Sequence, residues 1–126
     1  MNNLNYASLD ASKKLHDAGI VLKTEAYWIR VANSPMMLVD NRHGADEYYP
    51  APSMAEVWRE LPDGKELAEN KGCTYASIEY GEGKYKEFSS MDNPTDSLID
   101  LLIWVKEQNR ERIVKKLIDH ADKLKW

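Results

Sequence analysis

The sequence predicts an α+β fold, and three observations carry that prediction. One short segment is written as a helix with its start and stop signals in place. Two aromatic, β-branched runs are each followed by a turn and a second extended run, the signature of a hairpin. A strongly apolar helix closes the chain's second half. The expected order is α-ββα-ββα-α, with a largely antiparallel four-stranded sheet and helices packed mainly on one face.

The punctuated helix lies between Pro52 and Pro62. Ser53 and Glu56 have the spacing of a capping box, in which the hydroxyl accepts from the N–H three residues on and the carboxylate accepts from the N–H of the serine. Met54, Val57, Trp58 and Leu61 recur at i, i+3, i+4 and i+7, so one face is apolar. Proline at either side has no helical hydrogen bond to lose.

Upstream, Ser8 is the expected N-cap of a first helix over residues 9–18, with Ala11, Leu15 and Ala18 on one face. Gly19 supplies a left-handed residue at its end, and Ile20 the returning apolar contact. Residues 26–31 (Ala-Tyr-Trp-Ile-Arg-Val) read as a strand, Asn33-Ser34-Pro35 as a turn and residues 36–40 as the return strand. Residues 41–46 form a polar loop, and Tyr48-Tyr49 lead into the punctuated helix. Residues 65–70 add at most a helical turn or two.

The second half follows the same order. Residues 73–80 read as a strand, Gly81-Glu82-Gly83 as a turn and residues 84–88 as a return strand. Asn93 caps the next helix, Pro94 takes its first position and Asp96 places negative charge in its first turn. Between residues 94 and 108, Leu98, Ile99, Leu101, Leu102, Ile103, Trp104 and Val105 cover more than half the circumference, so this helix needs cover on more than one side. From Arg110, a stripe of Ile113, Val114, Leu117, Ile118, Ala121 and Leu124 marks a last amphipathic helix. It covers the central helix of its own chain or pairs with a second copy, and the Gln108-Asn109 junction permits a turn or one unbroken helix. The expected organisation is a single domain over residues 1–109, with the helix of residues 110–126 packed on it or mediating a homodimer through the last two helices.

At 126 residues, with 43% hydrophobic and 30% charged, the chain is long enough to bury a core without metal or disulfide staples. The single cysteine, Cys73, has no internal partner, which fits a reducing cytoplasm. Met1-Asn2-Asn3-Leu4-Asn5 lacks the basic-then-apolar pattern of a secretory signal, and the apolar run at residues 101–105 is too short to span a bilayer. A soluble cytoplasmic protein is therefore expected. Net charge is −4, divided unevenly. Residues 110–126 hold six basic and three acidic residues, and the remainder 11 basic and 18 acidic, so the tail is +3 and the body −7. An acidic body repels a polyanion, which leaves nucleic-acid binding to the basic tail or an aromatic sheet face.

No catalytic constellation stands out, and neither a cofactor nor a metal is expected. Gly81-Glu82-Gly83-Lys84 is too short for a phosphate loop and precedes a strand rather than a helix. His16, His43 and His120 share no metal-ligand spacing. His43, beside Gly44 with Asp40 and Asp46 nearby, is the weak polar candidate. Cys73 has only Lys71 close in sequence to activate it, and Ser8, Ser53 and Ser97 sit in no nucleophile-elbow pattern. Asp96 and Asp100 share a helix face and are a conceivable carboxylate pair, but their positions suit the helix start and a polar break. The aromatic residues are more suggestive. Alternation sends Tyr27, Ile29 and Val31 to one face of the first strand and Trp28 and Arg30 to the other. Trp28, Arg30, Tyr75 and Tyr85 are then candidate partner-binding residues on an open sheet face, because exposed aromatic and arginine side chains favour protein partners. Aromatic sheets also stack single-stranded bases.

Several of these segments together resemble a known pattern. The helix with Ser8-Leu9-Asp10-Ala11-Ser12-Lys13-Lys14-Leu15, the strand with Tyr27-Trp28, and Pro50-Ala51-Pro52-Ser53 before a helix ending in Leu61-Pro62 come first. A tyrosine-bearing hairpin, Asn93-Pro94-Thr95-Asp96-Ser97-Leu98 and Leu101-Leu102-Ile103-Trp104-Val105-Lys106-Glu107 follow. The order is similar to that of small uncharacterised proteins encoded by phages and prophages of Bacteroidetes and Firmicutes. The resemblance spans residues 8–108 and brings no catalytic residues. The absent catalytic constellation, the aromatic open face and the strongly apolar central helix then point to a non-enzymatic accessory protein of such a mobile element acting by protein–protein contact, with an unknown partner.

Overall fold

The computed structural model describes residues 5–91 and 93–123; the side chains of residues 114 and 116–123 lie outside the description. Among the described residues the order is α1 (Leu9–Asp17), β1 (Ala26–Arg30), β2 (Met37–Val39), β3 (Glu47–Ala51), α2 (Met54–Glu60), β4 (Lys65–Asn70), β5 (Cys73–Gly81), β6 (Lys84–Ser90) and α3 (Pro94–Lys123). The fold is α+β, with two antiparallel three-stranded sheets ordered β2-β1-β3 and β4-β5-β6.

The expected single four-stranded sheet is thus corrected to two sheets, because each expected hairpin gains a third strand. β3 lies along the far side of β1, pairing Ala26 with Ala51 and Arg30 with Glu47. Pro50 donates no ladder bond, which suits an edge strand. β4 replaces the expected helical turn. Its Lys-Glu-Leu-Ala-Glu-Asn composition favours helix, but the two residues that follow decide otherwise. Lys71 and Gly72 have φ of 52° and 82° between the paired Asn70 and Cys73. Positive φ at both central residues is the type I′ hairpin geometry, whose twist matches antiparallel strands.

The helix ends follow the local signals. Ser8 Oγ accepts from the Ala11 N–H at 3.1 Å. The α1 C-terminus closes with Gly19 at φ 72° and the Ile20 N–H donating to the Leu15 carbonyl at 3.1 Å. At α2 both halves of the capping box are present. The Glu56 N–H donates to Ser53 Oγ at 3.2 Å, and the Ser53 N–H to Glu56 Oε1 at 2.7 Å. Asn93 serves two elements at once: its Oδ1 accepts from the Thr95 N–H at 2.9 Å, and its Nδ2 donates to the Tyr6 carbonyl at 2.8 Å.

The core centres on the first half of α3. Leu98, Ile99, Leu101 and Leu102 are fully buried, joined by Ala11 and Leu15 from α1, Val57 and Leu61 from α2, and Ala76 and Ile78 from β5. Leu67 of β4 and Phe88 of β6 pack against this cluster. The cover that so apolar a helix requires therefore comes from the second sheet, α1 and α2, and not from a separate last helix. α3 runs unbroken through Gln108-Asn109, so the two helices expected there are one. Burial fades along it: residues 109–113 are exposed, and Ile113 is 59% exposed. Arg110 still reaches back, its guanidinium donating to the Ala18 carbonyl at the end of α1 at 3.0 Å. Beyond Ile113, the expected stripe at Val114, Leu117, Ile118, Ala121 and Leu124 lies outside the described side chains, as does His120.

Candidate interaction surfaces

The candidate residues do not share one face, because they belong to different sheets. In the first sheet Trp28 stands opposite Leu38 and Tyr49. Residues directly opposite in an antiparallel pair point the same way, so Trp28, Tyr49, Arg30 and Glu47 share a face. α1 lies on that side. The His16 ring meets the Tyr49 ring edge-on at 5.5 Å, and Lys13 Nζ sits 5.6 Å from the same ring. Trp28 is half-buried, and its Nε1 donates to the Ala7 carbonyl at 2.9 Å. The expected open face is therefore corrected: Trp28 fastens the first sheet to the segment before α1. Arg30 is exposed and pairs with Glu47 at 3.4 Å. Tyr49 donates its hydroxyl to Glu47 Oε1 at 3.0 Å. That bond, then burial and the nearby negative charge of Glu47 and Asp17, holds the phenol above its ordinary range against the opposing effect of Arg30.

The other face of the first sheet, with Tyr27, Ile29 and Val31, is only partly buried. Ile29 is buried, but Val31 is 43% exposed. The loop of residues 40–46 crosses this side and sets the Arg42 guanidinium over Tyr27 at 5.7 Å and Tyr48 at 4.6 Å. His43 is exposed in that loop, where its N–H takes the Asn41 side-chain oxygen at 2.8 Å. Its expected neighbour Asp46 accepts from the Ala32 N–H at 2.6 Å. Asp46 therefore holds the turn after β1.

Tyr75 and Tyr85 belong to the second sheet. Register rows Glu66–Ser77–Glu87, Ala68–Tyr75–Ser89 and Glu79–Tyr85 place these residues on the face opposite Leu67, Ala76, Ile78 and Phe88. α3 occupies the inner face, so the outer one carries two tyrosines and three exposed glutamates with no basic residue in those rows. The neighbouring Cys73, with some burial, holds the Tyr75 phenol above its usual range.

The carboxylates considered as a pair are separately engaged with α1. Asp96 Oδ1 accepts from the Ser8 N–H at 2.9 Å, and Asp100 pairs with Lys14 at 3.5 Å. Among the described residues no group of three His, Cys, Asp or Glu side chains is placed to hold a metal ion. No helix of the described residues is long and apolar enough to cross a membrane.

A broad open apolar feature lies elsewhere, in a groove between α2 and the β4 edge. It has a volume of about 780 Å³ and is lined by Tyr6, Met54, Ala55, Trp58, Arg59 and Leu67, with Asn5 and Ser53 at its end. The capping box starts α2 here, so Met54 and Trp58, one turn apart, stand along the same wall. Both also pack against the core cluster. Lys65 covers part of the Trp58 ring from 4.9 Å while donating to the Leu61 carbonyl at 3.2 Å. Sequence reasoning saw Met54 and Trp58 as a core face and missed the groove. The opposite wall is β4, which composition disguises as helix, and the Lys71-Gly72 turn was the available signal.

Fold and surfaces together define a small α+β protein with two antiparallel sheets and one long helix that outruns its core. No protein-family model, curated protein or solved structure matches the chain.

Proposed function

We propose that this chain is a non-enzymatic accessory protein of a phage or prophage that works in the cytoplasm by protein–protein contact. The observation that supports this reading best is the α2–β4 groove. Met54, Trp58 and Leu67 present apolar surface to solvent there in a form that side chains of a second protein chain fill. Aromatic anchors in apolar pockets carry much of the energy of such contacts. The mobile-element assignment rests on the sequence resemblance over residues 8–108.

The test is affinity capture from host cytosol with wild type and with Ala55→Arg. Ala55 is exposed on α2 and lines the groove, so an arginine there obstructs the groove without entering the core. A protein retained by wild type and lost from Ala55→Arg is the expected outcome. Equal retention by both, or by neither, removes the support for a contact through this groove.

Single-strand nucleic-acid binding through the tyrosine face has less support. Tyr75 and Tyr85 share their face with Glu66, Glu79 and Glu87, and a phosphate backbone is repelled by such a surface. Fluorescence anisotropy with labelled single-stranded oligonucleotides at low salt is expected to show no binding. Binding that weakens steeply with salt would reverse this and return attention to the basic end of α3.

A further inference from the structure

We infer that an extended segment of a partner protein docks as an added strand on the outer edge of β4, laying apolar side chains and one carboxylate into the α2–β4 groove. The inference rests on the protein-contact reading above and deepens it by giving the occupant's conformation and chemistry.

The backbone of β4 is the first argument. β4 lies at the edge of its sheet, and among the described residues no strand lies beyond it. Antiparallel ladders alternate between pairs that exchange both backbone bonds and pairs that exchange none. The Lys71-Gly72 turn closes on Asn70 and Cys73, and a two-residue turn makes its closing pair a bonded one. Counting back along the register, Ala68–Tyr75 and Glu66–Ser77 are the next bonded pairs. Lys65, Leu67 and Glu69 therefore turn their N–H and C=O groups away from β5. Such a row of edge groups is a template for strand addition.

The side chains of the same three residues supply the second argument. Leu67 packs against the core cluster and lines the groove, so Lys65 and Glu69, two positions either side, share its face. An added strand follows the same pleat, and its residues opposite these three point to that face as well. There they meet Met54, Ala55 and Trp58 of α2. A partner strand thus gains backbone bonds and apolar burial from one position. A helix laid in the groove gains only the second.

Charge specifies the polar part of the occupant. Arg59 is the charged residue of the lining. It is exposed, its Nε reaches the Ala55 carbonyl at 3.4 Å, and among the described residues it makes no ion pair. Lys65 places a second positive charge 4.9 Å from the Trp58 ring. A carboxylate on the partner strand complements both, whereas a basic segment is repelled at the groove.

The experiment is selection of binders to the full-length protein from a random linear-peptide display library, followed by fluorescence anisotropy of the selected peptides. Alternating apolar residues with an aspartate or glutamate are expected, and binding is expected to be lost in Ala55→Arg. Arg59→Glu is expected to weaken the acidic peptides by about fivefold or more, since it replaces an exposed ion pair by a repulsion, and to favour their lysine-substituted versions. Methylating every second backbone N–H of a peptide is expected to abolish binding in one phase and to be tolerated in the other, because one side of the strand faces β4. Equal tolerance of both phases, helical spacing of the apolar residues, enrichment of basic peptides, or no enriched peptide each overturns the inference. Peptides that bind wild type and Ala55→Arg equally overturn it too. If host-cytosol capture yields a partner that Ala55→Arg loses while the selected peptides tolerate both phases, the added strand is excluded and contact through the groove stands.

Discussion

Leu102→Ala is expected to lower the unfolding free energy by about 2–5 kcal/mol, the cost of the removed apolar atoms plus the cavity they leave. Leu102 is 0% exposed and belongs to the cluster that joins α3 to α1, α2 and the second sheet. Because a domain of this kind has roughly 5–15 kcal/mol in total, one such change approaches a third or more of its stability. Ile113→Ala on the same helix is the internal control. That side chain is 59% exposed, so its replacement is expected to cost no more than about 0.5 kcal/mol in the isolated chain. Urea denaturation followed by circular dichroism, at concentrations low enough to keep the chain monomeric, separates the two. Equal midpoints for the two variants would contradict the placing of the core around the first half of α3.

That core was legible in the sequence because its signals are local. Leu98 to Val105 is apolar over more than half the helix circumference, and Asn93-Pro94 marks where it begins. Ser53 and Glu56 identify each other across one turn. Gly19 followed by Ile20 terminates α1 by a motif contained within a few residues. Each needs only the neighbouring backbone to be recognised. The third strand of each sheet needs a partner from elsewhere in the chain. β3 holds a proline, and β4 is made of helix-favouring residues, so neither announces itself. β4 is a strand because Lys71 and Gly72 turn the chain onto β5 and Leu67 reaches the core across from Ala76. Pairing with β5 outweighs an intrinsic preference of a few tenths of a kcal/mol per residue.

The same distinction separates the site residues. Strand alternation correctly divides Tyr27 and Ile29 from Trp28 and Arg30, but it does not say which side receives a helix. Tyr75 and Tyr85 lie on the outer face of a different sheet from Trp28 and Arg30, since the two expected hairpins are centred on different strands, β1 and β5. The groove was invisible because it exists only where α2 meets the edge of β4, the strand that the sequence conceals.

Trp28→Ala is therefore expected to act on the fold before it acts on any partner. Full truncation of a buried tryptophan costs about 3–5 kcal/mol; Trp28 is half-buried, which places the expected loss near the lower end of that range. Trp28→Phe isolates the polar part. It keeps an aromatic ring between Leu38 and Tyr49 but removes the Nε1 donor that reaches the Ala7 carbonyl at 2.9 Å. Loss of one such bond is expected to cost about 1 kcal/mol, more where the abandoned carbonyl stays shielded from water. The effect should be regional, because the Ala7 segment ties the first sheet to the start of α3. Its N–H donates to the Pro52 carbonyl at 2.9 Å, and Ser8 just after it is held by Asp96 of α3. Hydrogen exchange in Trp28→Phe should thus quicken at Ala7 and along β1 and β3 while β5 and α3 stay protected. Uniform quickening would make Trp28 an ordinary contributor to global stability. An unchanged pattern with unchanged stability would show that the bond to Ala7 contributes nothing and return the tryptophan to the candidates for partner contact.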